Sequence, residues 1–224
     1  MANQLIQTKD GSHSLLRTDL DETYHSVHGA VTESRYIYIE QGLACVPSSS
    51  SIRIFEMGFG TGLNDLCAYR WARDQDQPIH ITTIELSPLS MDLIYQLNYP
   101  QLIGHESLFR WLHESDWGVV QRYDDWLSIE KHRISLMDFD FNSCQFDCVF
   151  YDAFAPKYQP ECWTSDVITP VINTLMPHGV FVTYCCTSQL QRLLSTQPVQ
   201  IQKIPGPPGK REILRAIRLP NTGP

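Results

Sequence analysis

The chain has 224 residues, 42% of them hydrophobic, with a mean hydropathy of −0.23 and a formal net charge of −8. That length buries about 70% of the unfolded surface, enough for one domain of ordinary size spanning residues 1–224. No apolar run approaches the ~20 residues of a membrane-spanning helix, and the acidic balance argues against general affinity for nucleic acid. Met1 to Leu5 carry no basic-then-apolar leader pattern. The seven cysteines (Cys45, Cys67, Cys144, Cys148, Cys162, Cys185 and Cys186) are odd in number and contain no C-x-x-C pair. They outline neither a disulfide framework nor a zinc site, and predict a reducing, cytoplasmic setting. His25-Ser26-Val27-His28 has a ligand-like spacing, but no third ligand lies near it, so no metal is expected.

In chain order, the first 50 residues are polar and aromatic, with a helical stretch predicted over 30–43 and a serine-rich break at 47–51. Ile52-Arg53-Ile54-Phe55 reads as the first strand and runs into Glu56-Met57-Gly58-Phe59-Gly60-Thr61-Gly62, with a helix expected over 63–71. Residues 79–84 read as strand two, and Pro88 suits the start of a helix reaching about Leu97. Trp111, Trp117 and Trp126 suggest an ordered helical insertion over 104–132. Strand three is expected at 134–137, strand four at 146–151, a helix at 163–175, strand five at 179–184 and a short helix at 188–195. Two final strands, 199–204 and 212–219, flank a Pro/Gly turn. This alternation predicts an α/β fold with a mostly parallel sheet and an antiparallel C-terminal edge hairpin. The region 1–50 and the mid-chain insertion are elaborations on a sheet spanning 51–224.

Three glycines at alternate positions leave the backbone open where a ligand must approach, and the following helix aims its free N–H groups at the same spot. The dinucleotide fingerprint needs glycine where Leu63 stands, so the spacing is E-x-G-x-G-x-G instead. That pattern resembles the S-adenosylmethionine loop of class I (Rossmann-like) methyltransferases. Glu56 suits a cationic amino-acid end and suits a pyrophosphate poorly. Glu85, 23 residues past Gly62, ends strand two where a carboxylate grips ribose hydroxyls. Asp138 and Asp152 end the third and fourth predicted strands, which puts Asp138 near the adenine and Asp152 at the mouth where chemistry occurs. Phe59, Thr61 and Asn64 complete the expected cofactor loop.

The block Asp152-Ala153-Phe154-Ala155-Pro156 followed by Pro160-Glu161-Cys162-Trp163 resembles the D-[AG]-F-A-P…N-P-x-[ML]-W signature of one family. That family is the methyltransferase half of the bifunctional MnmC proteins, with their free-standing relative MnmD. Asp21 to Ser26, Glu33-Ser34-Arg35, Phe59 to Asn64, Thr183-Tyr184 and Gly206 to Glu212 are similar to further blocks of it. Gln159 stands where asparagine is usual, and Pro208 replaces a glycine. The resemblance implies N-methylation of 5-aminomethyl-2-thiouridine at the tRNA wobble position, with S-adenosylmethionine as cofactor, tRNA as partner and no membrane. It also implies that a separate enzyme supplies the amine. Asp152 is the expected catalytic residue, orienting the amine and accepting its proton. Tyr24 and Phe154 are expected to stack on the extruded base, and Lys210 and Arg211 to hold phosphate or the nucleotide. From Gln189 to Pro224, six bases and one acid give +5 against −8 overall, leaving −13 elsewhere, so a basic end sits on an acidic body. A small-molecule amine methyltransferase and a non-catalytic tRNA-binding module are the alternatives.

Overall fold

A computed structural model describes residues 3–47 and 49–220. Met1, Ala2 and Ser48, from the terminus and the serine-rich break read above, lie outside the described residues, as do residues 221–224. The chain opens with a small antiparallel sheet of β1 (Asn3–Gln7), β2 (His13–Arg17) and β3 (Glu22–Thr23). The helix α1 (Ala30–Ser34) follows and continues as a π-helical turn, Arg35–Glu40. Next come β4 (Ile52–Met57), α2 (Leu63–Asp74) and β5 (Ile79–Ile84). The mid-chain segment holds α3 (Met91–Ile94), α4 (Tyr99–Ile103), α5 (Glu106–Glu114), β6 (Val120–Arg122) and β7 (Leu127–His132). The remainder is β8 (Phe146–Tyr151), α6 (Ser165–Asn173), β9 (Leu175–Thr183), α7 (Ser188–Leu194), β10 (Val199–Pro205) and β11 (Glu212–Arg218).

The main sheet runs β10-β11-β9-β8-β4-β5-β7-β6. Its five central strands are parallel, and β6, β10 and β11 are antiparallel at the edges. Helices cover both faces, as a buried parallel sheet requires. Period-two alternation divides the core between them. Ile52, Ile54, Phe150 and Val182 pack under α2 and the π turn, while Phe55, Val149, Tyr151 and Phe181 pack under α6 and α7. Strand order reverses between β4 and β8, the switch point at which such sheets bind ligands beyond the strand carboxyl ends.

Four expectations are corrected here. Residues 104–132 are not wholly helical, because β6 and β7 follow α5 and β7 is the sheet neighbour of β5. The strand expected at 134–137 is absent; Leu136–Asp138 form a 3-10 turn. β7 hides in the sequence because Lys131 occupies a core-facing position, fully buried. Its ammonium donates to the Leu112 carbonyl (2.5 Å) and lies 4.9 Å from the Trp117 ring centroid. The long helix expected after Pro88 shrinks to α3, and the first 50 residues contain a three-stranded sheet that polar composition concealed. Among the described residues no helix is long and apolar enough to cross a membrane.

Candidate active site

A cavity of about 420 Å³ opens at the switch point between β4 and β8. That volume falls within the roughly 300–1,000 Å³ of small-molecule sites. Gly58, Phe59, Gly60 and Thr61 form its floor, Glu85 one wall and Asp152 the other. Arg17, Leu20, the segment Glu22 to Ser26 and Glu33 also line it, so the N-terminal region supplies part of the site.

The glycine loop has the open backbone its spacing predicted. Gly58, Gly60 and Gly62 have φ of 93°, 49° and 68°, and Gly62 caps α2. A Cβ on Gly58 would lie 3.2 Å from the Asp152 carbonyl oxygen. The Glu85 carboxylate accepts from Gly60 N–H (3.1 Å) and Ser87 N–H (2.8 Å), so the acid shapes the loop as well as facing the cavity. Thr61 is held from two sides: its hydroxyl meets His25 Nε2 (2.8 Å), and its carbonyl accepts from His113 Nε2 (3.2 Å). Burial pushes His25 down to about 4 and His113 to about 3, so both rings are neutral clamps at physiological pH. The Phe59 ring packs edge-on against His113 and Trp117, at centroid distances of 5.0 and 5.8 Å. It anchors the loop to the insertion.

Two expected cofactor acids lie elsewhere. Glu56 is fully buried behind the loop, because β4 runs two residues further than the sequence suggested. Its Oε2 accepts from the Thr83 hydroxyl (2.6 Å). Its neighbour is Asp65, in the first turn of α2, also buried. Glu56 Oε1 and both Asp65 carboxyl oxygens are buried without a hydrogen-bond partner, and two ionised carboxyls offer each other no donor, so a proton held on the pair would supply the missing one. Burial, then the Asp65 charge, pushes Glu56 well above the usual carboxylate range, and burial pushes Asp65 to about 7. The folded state therefore binds this proton more tightly than the unfolded chain. Stability falls as pH rises from about 4.5 toward the raised value, by up to about 1.4 kcal/mol per pH unit. Glu56→Gln carries a permanent donor, so thermal melts between pH 5 and 8 should show a shallower loss than wild type; equal slopes would refute the shared proton. Asp138 is the second correction. It is exposed on the 3-10 turn and outside the cavity lining, where Ser135, Leu136 and Met137 stand instead.

Asp152 begins the loop after β8, its N–H bonded to the Met57 carbonyl (3.1 Å). Tyr38 Oη donates to Asp152 Oδ1 (2.5 Å), and Asn64 Nδ2 donates to Oδ2 (3.0 Å). Asn64 is thereby an orienter of Asp152 rather than of the cofactor loop alone. Burial pushes Asp152 up to about 7; Glu33 adds to the rise, while Tyr38, Asn64 and Lys210 hold it down. Tyr38 stands beside Tyr36 in a helical stretch, with only the nearby Glu33-Ser34-Arg35 block to mark it in the sequence.

The signature residues clamp the loop that follows. Tyr184 Oη donates to the Ala153 carbonyl (2.9 Å), and Trp163 Nε1 to the Phe154 carbonyl (2.8 Å). Phe154 N–H donates to Gln159 Oε1 (2.9 Å), so glutamine at this position makes a backbone bond. Thus fixed, Phe154 meets Tyr24 edge-to-face, centroids 5.3 Å apart, and Arg17 stacks over it at 5.3 Å. Lys210 lines the cavity, 3.2 Å from Glu33 and 4.5 Å from the Tyr184 ring centroid, whereas Arg211 is exposed on the turn and outside the lining. Half of the six bases at the C-terminal end are engaged within the fold. Lys203 pairs with Glu212 (3.0 Å), Lys210 with Glu33, and Arg215 donates to Gln202 (2.9 Å).

The glycine cradle, the Glu85 wall and the cavity volume fit S-adenosylmethionine. Residues 126–219 match the model of a family described as S-adenosyl-L-methionine-dependent methyltransferase. The tRNA 5-methylaminomethyl-2-thiouridine biosynthesis bifunctional protein MnmC of Pseudomonas fluorescens strain Pf-5 is 28% identical over 213 residues, covering 87% of this chain and 32% of that protein. MnmC of Idiomarina loihiensis is 29% identical over 218 residues, covering 88% and 36%. The chain thus spans about a third of the length of these curated relatives. The crystal structure of MnmC2 from Aquifex aeolicus shares the fold, with a TM-score of 0.79 and 24% identity, covering 98% of this chain and 71% of that one. DesVI of Streptomyces venezuelae is more distant, with a TM-score of 0.51 and 10% identity, covering 84% and 91%. Residues 126–219 thus match the S-adenosyl-L-methionine-dependent methyltransferase family model, and over nearly all its length the chain is similar to about a third of the MnmC proteins.

Proposed function

We propose that the chain methylates the primary amine of 5-aminomethyl-2-thiouridine at the wobble position of tRNA, giving the methylaminomethyl nucleoside. The observation that carries this reading is Asp152, a half-buried carboxylate that shares the cavity lining with the glycine cradle and with an aromatic pair, Tyr24 and Phe154. S-adenosylmethionine supplies a methyl group on a sulfonium, already a strong leaving group. Gly58, Gly60, Thr61 and Glu85 would hold it. Tyr24 and Phe154 would take the extruded base, as enzymes acting on a base commonly require. Holding amine and methyl in line can supply roughly 7–11 kcal/mol of the acceleration.

Deprotonation is the harder demand. An alkylamine has a pKa near that of lysine, about 10.4, so it arrives charged. A solvated aspartate at 3.8 would leave a pKa gap of nearly 7, roughly 9 kcal/mol against proton transfer. Asp152 at about 7 leaves a gap of about 3, roughly 4–5 kcal/mol. Its burial thus makes it a usable proton acceptor as well as an orienting group. A separate enzyme, by this reading, supplies the free amine.

The small-molecule alternative shares the cofactor side and differs in the acceptor. A synthetic anticodon stem–loop carrying 5-aminomethyl-2-thiouridine, compared with spermidine, separates the two. The stem–loop should be methylated with a kcat/KM at least about a hundredfold higher, since a site shaped for a base wastes its stacking on a polyamine. A higher value on spermidine would overturn the tRNA reading.

A further inference from the structure

Asp152 is not held by its own loop alone. Its Oδ1 takes the Tyr38 hydroxyl and its Oδ2 the Asn64 amide. The Asn64 orientation is itself fixed, because its Oδ1 accepts from the Ser34 hydroxyl. Ser34 and Tyr38 lie four residues apart, across the point where α1 widens into the π-helical turn 35–40. π turns recur at functional sites because they re-aim side chains within a helix. Here the turn sends Tyr38 inward to Asp152, and sends Tyr36 to the C-terminal hairpin, where its hydroxyl donates to the Pro205 carbonyl (2.8 Å). Tyr38 is 2% exposed, so its hydroxyl has no solvent to satisfy it, and among the described residues its hydrogen-bond partner is Asp152.

We propose that Tyr38 is a positioning residue for Asp152: its hydroxyl fixes the carboxylate toward the reacting amine and stabilises the ionised form that accepts the proton. This rests on the reading of Asp152 as the amine's orienter and base. The other groups acting on Asp152 are Glu33 from α1, Lys210 from the hairpin turn, Asn64 from α2, Glu56 from β4, and Tyr184 after β9. Glu33 and Lys210 are paired at 3.2 Å and offset each other. Burial pushes the Glu56 carboxyl well above the usual range, so it adds little charge. That leaves Tyr38 and Asn64 as the donors that keep the half-buried Asp152 carboxylate ionised. A hydroxyl bonded to the charged form lowers the acid limb of the rate profile, so removing it must raise that limb.

The test is the pH dependence of kcat in Tyr38→Phe, with melting temperature and S-adenosylmethionine affinity measured alongside. The acid limb should move up by about one to two pH units. The rate should drop at least about tenfold at pH 6.5 and return to within about threefold of wild type near pH 9. A matching variant with 3-fluorotyrosine at position 38 keeps the shape and donates more strongly, so its limb should move down. A uniform loss at every pH in Tyr38→Phe, or no displacement by fluorotyrosine, would overturn the proposal. An inactive wild type on aminomethylated tRNA would instead refute the functional reading beneath it.

Discussion

Asp152→Asn should lower kcat for methyl transfer by about 10²–10⁴, the usual range for losing a positioned acid–base group. S-adenosylmethionine affinity should stay within a few-fold of wild type. The substitution preserves shape, so the change is chemical. Tyr38 can still donate to the remaining oxygen. The new amide N–H₂ then faces the Asn64 N–H₂, and Asn64 cannot turn round without giving up the Ser34 hydroxyl. One buried donor is left unsatisfied, at a cost of about 1–3 kcal/mol. Against that, the variant no longer buries a carboxylate, whose desolvation lifted it to about 7. The two terms offset, so the fold should survive while the proton acceptor is lost. Single-turnover rates, calorimetric affinity and a thermal melt on the same sample check all three points. A variant that binds cofactor and transfers methyl within threefold of wild type would remove Asp152 from the chemistry.

The second large effect is expected at Gly58→Ala. Its φ of 93° lies in a region that side-chain-bearing residues rarely adopt, a strain of about 1–3 kcal/mol. The new methyl would also sit 3.2 Å from the Asp152 carbonyl oxygen. That carbonyl cannot retreat freely, because Asp152 N–H is bonded to Met57. The loop must shift instead, closing the space for the cofactor and moving Asp152 together. S-adenosylmethionine affinity should fall at least about tenfold, and melting should drop by roughly 2–10 °C for a chain of this size. Gly118→Ala is the control, with a φ of 76° and nothing within 4 Å of its Cβ. It should share the strain and leave affinity unchanged. Equal losses of affinity in the two variants would show that strain alone, and not the cradle, is being measured.

Much of this site was legible because its constraints are local. A glycine triplet after an apolar strand has few other uses, and Glu85 and Asp152 directly follow strands rich in apolar and β-branched residues. The Asp152-to-Trp163 signature lines the cavity, and its Gln159 and Trp163 side chains hold backbone atoms of Phe154. What stayed hidden depends on contacts distant in sequence. Tyr38 reaches Asp152 across 114 residues. The block Glu33-Ser34-Arg35 stood four residues away as its only sequence signal. β7 was missed because a buried lysine breaks the apolar alternation. The 3-10 turn at 136–138 was mistaken for the strand that β7 supplies, which misplaced Asp138. Glu56 was read as a ligand contact since β4 was ended too early; two more strand residues turn it into the core. The basic C-terminal end looked available for phosphate, but pairing within the fold uses Lys203, Lys210 and Arg215.

The central claim is that this cavity methylates an amine on tRNA. It is tested most directly with labelled S-adenosylmethionine and bulk tRNA from cells lacking the activity, followed by nucleoside mass spectrometry, wild type beside Asp152→Asn. A labelled methylaminomethyl nucleoside made by the wild type and missing from the variant is the predicted result. Unlabelled tRNA, from a wild-type protein that binds S-adenosylmethionine, would contradict it.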